Sequence, residues 1–273
     1  MFGRRQMIAG GLAAATMAGR TDASVAASTL RIQRLAWAGI RLQLPNASLF
    51  IDPLIDRQIW DGKLSDRIIP VDDGVGDCVV LVTHRHPDHS DMTAIASALR
   101  NGGTIAYPAG MPPPGGLAAS VRERPCALWE PQLLGDFTAT PVPASDGYGD
   151  PQVSWVVSAA GRRIFHGGDT MMHGSWWRIG RQFGPFDAAF LPVNGARFSW
   201  RQPASDAPAV LTPTQAMLAA TILGARRIVP IHYGLRDVDG YSEVRDPLAE
   251  LRAAARPDSP RIDVVSPGGW IAW

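Results

Sequence analysis

His84-Arg85-His86-Pro87-Asp88-His89 is the stretch on which the reading of this chain turns. Four potential metal ligands fall within six residues. The chain has six histidines, and three of them sit here. Directly before them runs Cys78-Val79-Val80-Leu81-Val82-Thr83, an apolar segment with the length and β-branched content of a buried strand. A loop leaving a strand end can turn His84 and His86 toward one cation, and Asp88 and His89 toward a second. Imidazole suits Zn, Fe, Mn or Ni, and a carboxylate shifts the preference toward harder ions.

Working outward, Leu30–Leu35 and Ile40–Leu44 alternate apolar and polar residues around a break at Trp37-Ala38-Gly39. Pro45-Asn46 turns, and Ser48–Ile51 runs into Asp52-Pro53. This predicts an antiparallel β-meander. Ser90 or Asp91 caps a helix reaching about Leu99. Further strands are expected at Thr104–Tyr107, Ala127–Leu134, Thr138–Val142, Val153–Ala159, Arg163–Phe165, Ala188–Val193 and Arg227–Ile231. Thr212-Pro213 opens a helix that Gly224 stops. The Pro/Gly loops do not read as domain linkers, so residues 27–273 are expected to form one domain.

Two later segments extend the metal-type pattern: His166-Gly167-Gly168-Asp169-Thr170 and Pro230-Ile231-His232-Tyr233-Gly234. In this order, with Trp37-Ala38-Gly39 and Asp52-Pro53 ahead of them, the motifs resemble the metallo-β-lactamase superfamily over roughly residues 30 to 270. The resemblance implies an αββα sandwich, two packed mixed β-sheets with helices on the outer faces. It implies two divalent metal ions, Zn or Mn, with Asp169 bridging them and Asp88, His89 and His232 on the second. His84 and His86 would hold the first.

One departure concerns the first ion. Where the family carries a third histidine after a strand, this chain reads Pro141-Val142-Pro143-Ala144-Ser145-Asp146. Asp146 can ligate through its carboxylate, the reading preferred here. Alternatively the site is weakened to one tight metal, or His173 swings in. A carboxylate ligand adds negative charge, raises the pKa of water on the metal and favours harder ions.

The second half, Leu191-Pro192-Val193-Asn194-Gly195 followed by the Thr212 helix and His232-Tyr233-Gly234, is similar to the L-ascorbate-6-phosphate lactonase branch and the related N-acylphosphatidylethanolamine phospholipase D group. Both imply a small-molecule, phosphate-bearing substrate. Asn194 and Arg197 are then candidates for substrate contact, since a guanidinium fork matches phosphate or carboxylate oxygens. His173 is a candidate proton donor to the leaving group, and Asp88 can orient the attacking water. Tyr148 and Tyr233 can donate to an oxyanion, although a packed role is the simpler reading of each. His166 reads as core or as support for the ligands. Trp176, Trp177 and Trp200 read as aromatic core, with a pocket lining as the alternative.

The implied chemistry is hydrolysis of a phosphodiester or lactone by metal-activated water. The alternatives are a β-lactamase-like amide hydrolase, a weakly active or non-catalytic metal-binding protein, and a di-iron redox protein on the same fold. With a formal net charge of +1, no field points to nucleic acid. Arg4-Arg5, the apolar run Met7–Ala18 and Ser24-Val25-Ala26 form the three-part pattern of a twin-arginine-type export signal over residues 1–26. The expected location is therefore periplasmic or secreted. Its removal leaves 23 basic and 24 acidic residues and no segment apolar enough to span a bilayer. Cys78 and Cys126 lack the spacing of a metal or redox pair, and Cys78 reads as a buried small hydrophobe.

Overall fold

The computed structural model describes residues 30–147, 149–203 and 205–273. The export signal expected over residues 1–26 and the candidate Tyr148 lie outside the described residues. Six strands form a first sheet in sequential order: β1 (Arg31–Arg34), β2 (Ile40–Leu44), β3 (Ala47–Ile51), β4 (Asp77–Leu81), β5 (Gly103–Pro108) and β6 (Val121–Cys126). The first three are the predicted antiparallel meander, and β3 to β6 are parallel. The second sheet contains β7 (Gln132–Leu134), β8 (Phe137–Pro143), β9 (Val153–Ala159), β10 (Arg162–His166), β11 (Ala188–Pro192), β13 (Arg227–Ile231) and β15 (Arg261–Ile262). Between them in sequence, β12 (Arg197–Phe198) and β14 (Tyr241–Ser242) make a separate two-stranded ribbon.

The apolar runs place the layers. On β4, Val79 and Leu81 face the inner core while Cys78 and Val80 face outward, so the strand is apolar on both sides. On β11, Ala188 and Phe190 point inward and Ala189 and Leu191 outward. The inner core joins Leu42 and Leu81 of the first sheet to Trp155, Phe190 and Val229 of the second. Helix α1 (Met92–Ala98) covers the first sheet, and α2 (Trp176–Phe183), α3 (Pro213–Ile222) and α4 (Pro247–Ala253) lie with the second. The result is the αββα sandwich. Among the described residues no helix is long and apolar enough to cross a membrane.

The helix signals resolve locally. Asp91, not Ser90, caps α1, accepting from Thr93 N at 2.8 Å and Ala94 N at 3.1 Å. Thr212 and Gln215 form a capping box on α3, and Gly224 follows in a left-handed conformation. Ala127–Leu134 is not one strand: Trp129 takes a left-handed φ and only Gln132–Leu134 pairs. Cys78 and Cys126 are both free and buried.

Candidate metal centre

Parallel strands of a sheet present their C-terminal ends on one edge, and the candidate ligands leave from those ends. β4 delivers His84 to His89, β8 delivers Asp146, β10 delivers Asp169 and β13 delivers His232. Gly168 permits a close approach. A Cβ there would lie 2.8 Å from Thr83, and its φ of +59° suits glycine, so the turn carrying Asp169 packs directly on the start of the histidine loop.

The structure brings all seven predicted ligands together. His84, His86 and Asp146 form one group with donor atoms within 4.8 Å of one another; Asp88, His89 and His232 form a second; His84, His89 and Asp169 form a third between them. Asp169 faces both sides. Its Oδ2 lies 3.9 Å from His84 Nε2, and its Oδ1 lies 3.1 Å from His89 Nε2 and 2.8 Å from His232 Nε2.

Hydrogen bonds behind the candidate ligands determine which nitrogens carry protons. Buried Asp52 accepts from Thr83 N at 2.8 Å, Thr83 Oγ1–H at 2.6 Å and His89 Nδ1–H at 2.8 Å. Thr83 has a single hydroxyl proton, and it goes to Asp52. The 2.9 Å contact between Thr83 Oγ1 and His84 Nδ1 is therefore donated by the imidazole. His86 Nε2–H donates to Asp150 at 3.1 Å. In their neutral forms, His84 Nε2, His86 Nδ1 and His89 Nε2 are thus left as lone pairs. His84 Nε2 and His86 Nδ1 face each other at 2.9 Å with no proton assigned between them. His89 Nε2, His232 Nε2 and Asp169 Oδ1 are buried and crowded, but none meets another with hydrogen-bond geometry. Converging acceptors of this kind fit a cation, and outer partners that fix a ring's tautomer are what metal-binding imidazoles have.

The electrostatics agree. Burial and the neighbouring His89 hold His84 well below the usual imidazole range, so it stays a neutral donor. Burial opposes ionisation of Asp169, yet His232 and His89 outweigh it and hold the carboxyl well below the usual range. Burial likewise opposes a charge on His89, but Asp169, Asp88 and Asp52 raise its proton affinity well above normal. The cluster as a whole attracts positive charge. Trp37 Nε1–H donates to Asp88 Oδ2 at 3.0 Å, fixing that carboxylate.

The centre is open to one side. A cavity of about 320 Å³ has Asp88, Asp169, His86 and His232 at its polar end and Ile59, Trp60, Pro87, Phe198 and Tyr241 as walls.

Residues 48–233 match the family profile described as a beta-lactamase superfamily domain. The chain belongs to the metallo-β-lactamase superfamily. A UPF0173 metal-dependent hydrolase from Rubrobacter xylanophilus is 31% identical over 223 residues, spanning 75% of this chain and 81% of that relative. Among solved structures, the metallo hydrolase Igni18 of Ignicoccus hospitalis superposes with a TM-score of 0.62 at 17% identity, covering 89% of this chain and 97% of that one. CmlA, a diiron beta-hydroxylase from Streptomyces venezuelae, superposes with a TM-score of 0.65 at 13% identity over 90% of this chain and 54% of that one. The metallo-β-lactamase fold thus carries more than one reaction, and the choice falls to the site.

The remaining candidates sit elsewhere. Asn194 is wholly buried and does not line the cavity; its Nδ2 donates to the hydroxyl of Tyr241, which does. Arg197 is not among the lining residues either, and its Nε donates to Asp206 O at 2.9 Å. His173 stacks on Trp176 at 5.0 Å and accepts from Ser175 N, outside the cavity lining. His166 is committed on both nitrogens, to Ala38 O at 2.8 Å and Gly168 N at 3.2 Å, and has none left for a metal. Tyr233 packs half-buried against the outer core and below the Arg34 guanidinium. Of the tryptophans, Trp176 is core while Trp177 and Trp200 are exposed. The sequence reading did not foresee the orienting roles of Asp52 and Asp150. The Asp52-Pro53 motif was visible as a fold marker, but its bond to His89 spans 37 positions.

Proposed function

We propose that this chain is a metal-dependent hydrolase acting on the carbonyl of a lactone or ester. His84, His86 and Asp146 would hold one divalent ion, and Asp88, His89 and His232 the other, with Asp169 between them. The observation that carries this is the set of lone pairs converging at the end of an open cavity. Structural metal sites are closed, whereas catalytic ones keep a side for water and substrate. Membership of a family of metal-dependent hydrolases supports the reaction class.

Bound divalent ions there supply acidified water and polarise the scissile group. The chain's own residues do the rest. Asp88, fixed by Trp37, presents a carboxylate oxygen beside the ligand cluster, where it can orient water and take its proton. Asp52 and Thr83 hold His89 and His84 in the tautomers that direct Nε2 inward. The apolar walls exclude bulk water and strengthen the electrostatics. Among the described residues no arginine or lysine lines the cavity, which favours a neutral carbonyl over the phosphodiester that the second-half resemblance also allows.

The test is a panel of lactones, esters and bis(4-nitrophenyl) phosphate with zinc- or manganese-loaded protein. Hydrolysis of lactones or esters that His86→Ala and Asp169→Ala abolish, with loss of metal, is the expected outcome. Faster turnover of the phosphodiester overturns the substrate assignment. Turnover and metal content that survive both substitutions overturn the ligand assignment.

A further inference from the structure

One wall of the cavity is built from three rings contributed by two distant parts of the chain. Phe198 and Tyr241 are a cross-strand pair of the β12–β14 ribbon, with ring centroids 5.4 Å apart. Trp60 comes from the long loop between β3 and β4 and meets Tyr241 at 5.6 Å. Its backbone, like that of Asp61, is left-handed, with φ values of 55° and 54°. Bulky residues adopt that conformation only where their surroundings hold them in it. Trp200 backs Phe198 at 5.0 Å, so the wall is braced from behind.

Besides the Trp60 Nε1–H, which is buried without a partner among the described residues, the wall carries the hydroxyl of Tyr241. Tyr241 accepts the Asn194 Nδ2–H at 2.8 Å, and its own hydroxyl proton has no acceptor among the described residues. Burial and nearby Glu243 push its pKa up, so the hydroxyl keeps that proton. Asn194 is buried and fixes the phenol from behind. At about 320 Å³, the cavity is at the small end of the range for ligand sites, roughly 300–1,000 Å³, and suits a compact ligand.

We propose that Trp60, Phe198 and Tyr241 make the site selective for substrates bearing a small aromatic ring, with the Tyr241 hydroxyl donating to a substrate oxygen. Flat rings meet this wall with the offset or edge-on contacts that aromatic pairs prefer, and saturated rings of the same size do not. Asn194 acts here as a positioning residue for Tyr241. The proposal rests on the hydrolytic reading of the same site for its catalytic arm only.

The experiment compares methyl phenylacetate with methyl cyclohexylacetate, which share a leaving group and differ in ring character. With the metal-loaded enzyme, kcat/KM is expected to favour the phenyl ester by about tenfold, with the preference kept in Trp60→Phe and lost in Trp60→Ala. Tyr241→Phe should raise KM more than it lowers kcat. A parallel calorimetric titration of the same protein with phenylacetate and cyclohexylacetate reads the preference without turnover. Selective binding of phenylacetate with no ester hydrolysed overturns the hydrolytic reading and upholds the aromatic site. Equal handling of both rings in both arms overturns the aromatic site, even where both esters are cleaved.

Discussion

His89 and His232 flank the same oxygen of Asp169, at 3.1 and 2.8 Å, yet they are held in opposite ways. His89 is oriented by hydrogen-bonded charge: its far nitrogen donates to Asp52, which is itself secured by two bonds from Thr83. Among the described residues His232 has no such partner, and its Nδ1 is buried without a hydrogen bond. A left-handed backbone at φ 57°, a backbone bond from its N–H to Trp37 O at 3.2 Å and a ring contact with Trp37 at 4.1 Å hold it instead. The difference shows that one candidate centre combines a histidine tuned through its outer hydrogen bond with a histidine placed by its backbone and by ring packing. The first should respond to changes of charge, the second to changes of shape.

The largest effect is therefore expected at Asp52. Asp52→Ala removes the acceptor of His89 and both acceptors of Thr83, and should lower metal affinity by about 10–100-fold. It should also cost about 3 kcal/mol of stability by leaving buried donors unpaired. Chelator competition and urea unfolding read the two. Trp37→Phe keeps a ring against His232 but deletes the bond to Asp88, so hydrolysis should fall about tenfold, with a smaller change in metal affinity. Were it to lower metal affinity as far as Asp52→Ala, the contrast between the two histidines would fail. Asp150→Ala frees His86 at a half-exposed position, and an effect of about threefold on metal affinity is expected. Arg197→Ala should leave kcat/KM within about twofold, since solvent already surrounds its contact with Asp206.

The parts of this centre that lie next to one another in sequence were legible. An apolar strand running into His84–His89 gives both the element and its candidate ligands, because these residues leave the strand end together. Asp146 stood out as an acid after a strand, and its carboxylate does lie with His84 and His86. What the sequence concealed are long-range and direction-dependent features. Asp52 meets His89 only once β3 and β4 are paired. Arg197 and Phe198 sit side by side on a two-residue strand, and it is Phe198 that lines the cavity. Helix α2 was missed because Trp176-Trp177 reads as aromatic core or pocket lining rather than as a helix start. Strand β6 was missed because Arg122-Glu123-Arg124-Pro125 is charged and exposed, as suits the edge of a sheet.

Each of the three ligand groups draws on both sheets: His84, His86, Asp88 and His89 follow β4 of the first, and Asp146, Asp169 and His232 follow strands of the second. None of these three groups is complete before the sandwich closes. Metal capture is then expected to be a late step that certifies a finished fold, and a destabilised inner core should show first as slow or incomplete loading rather than as lost secondary structure.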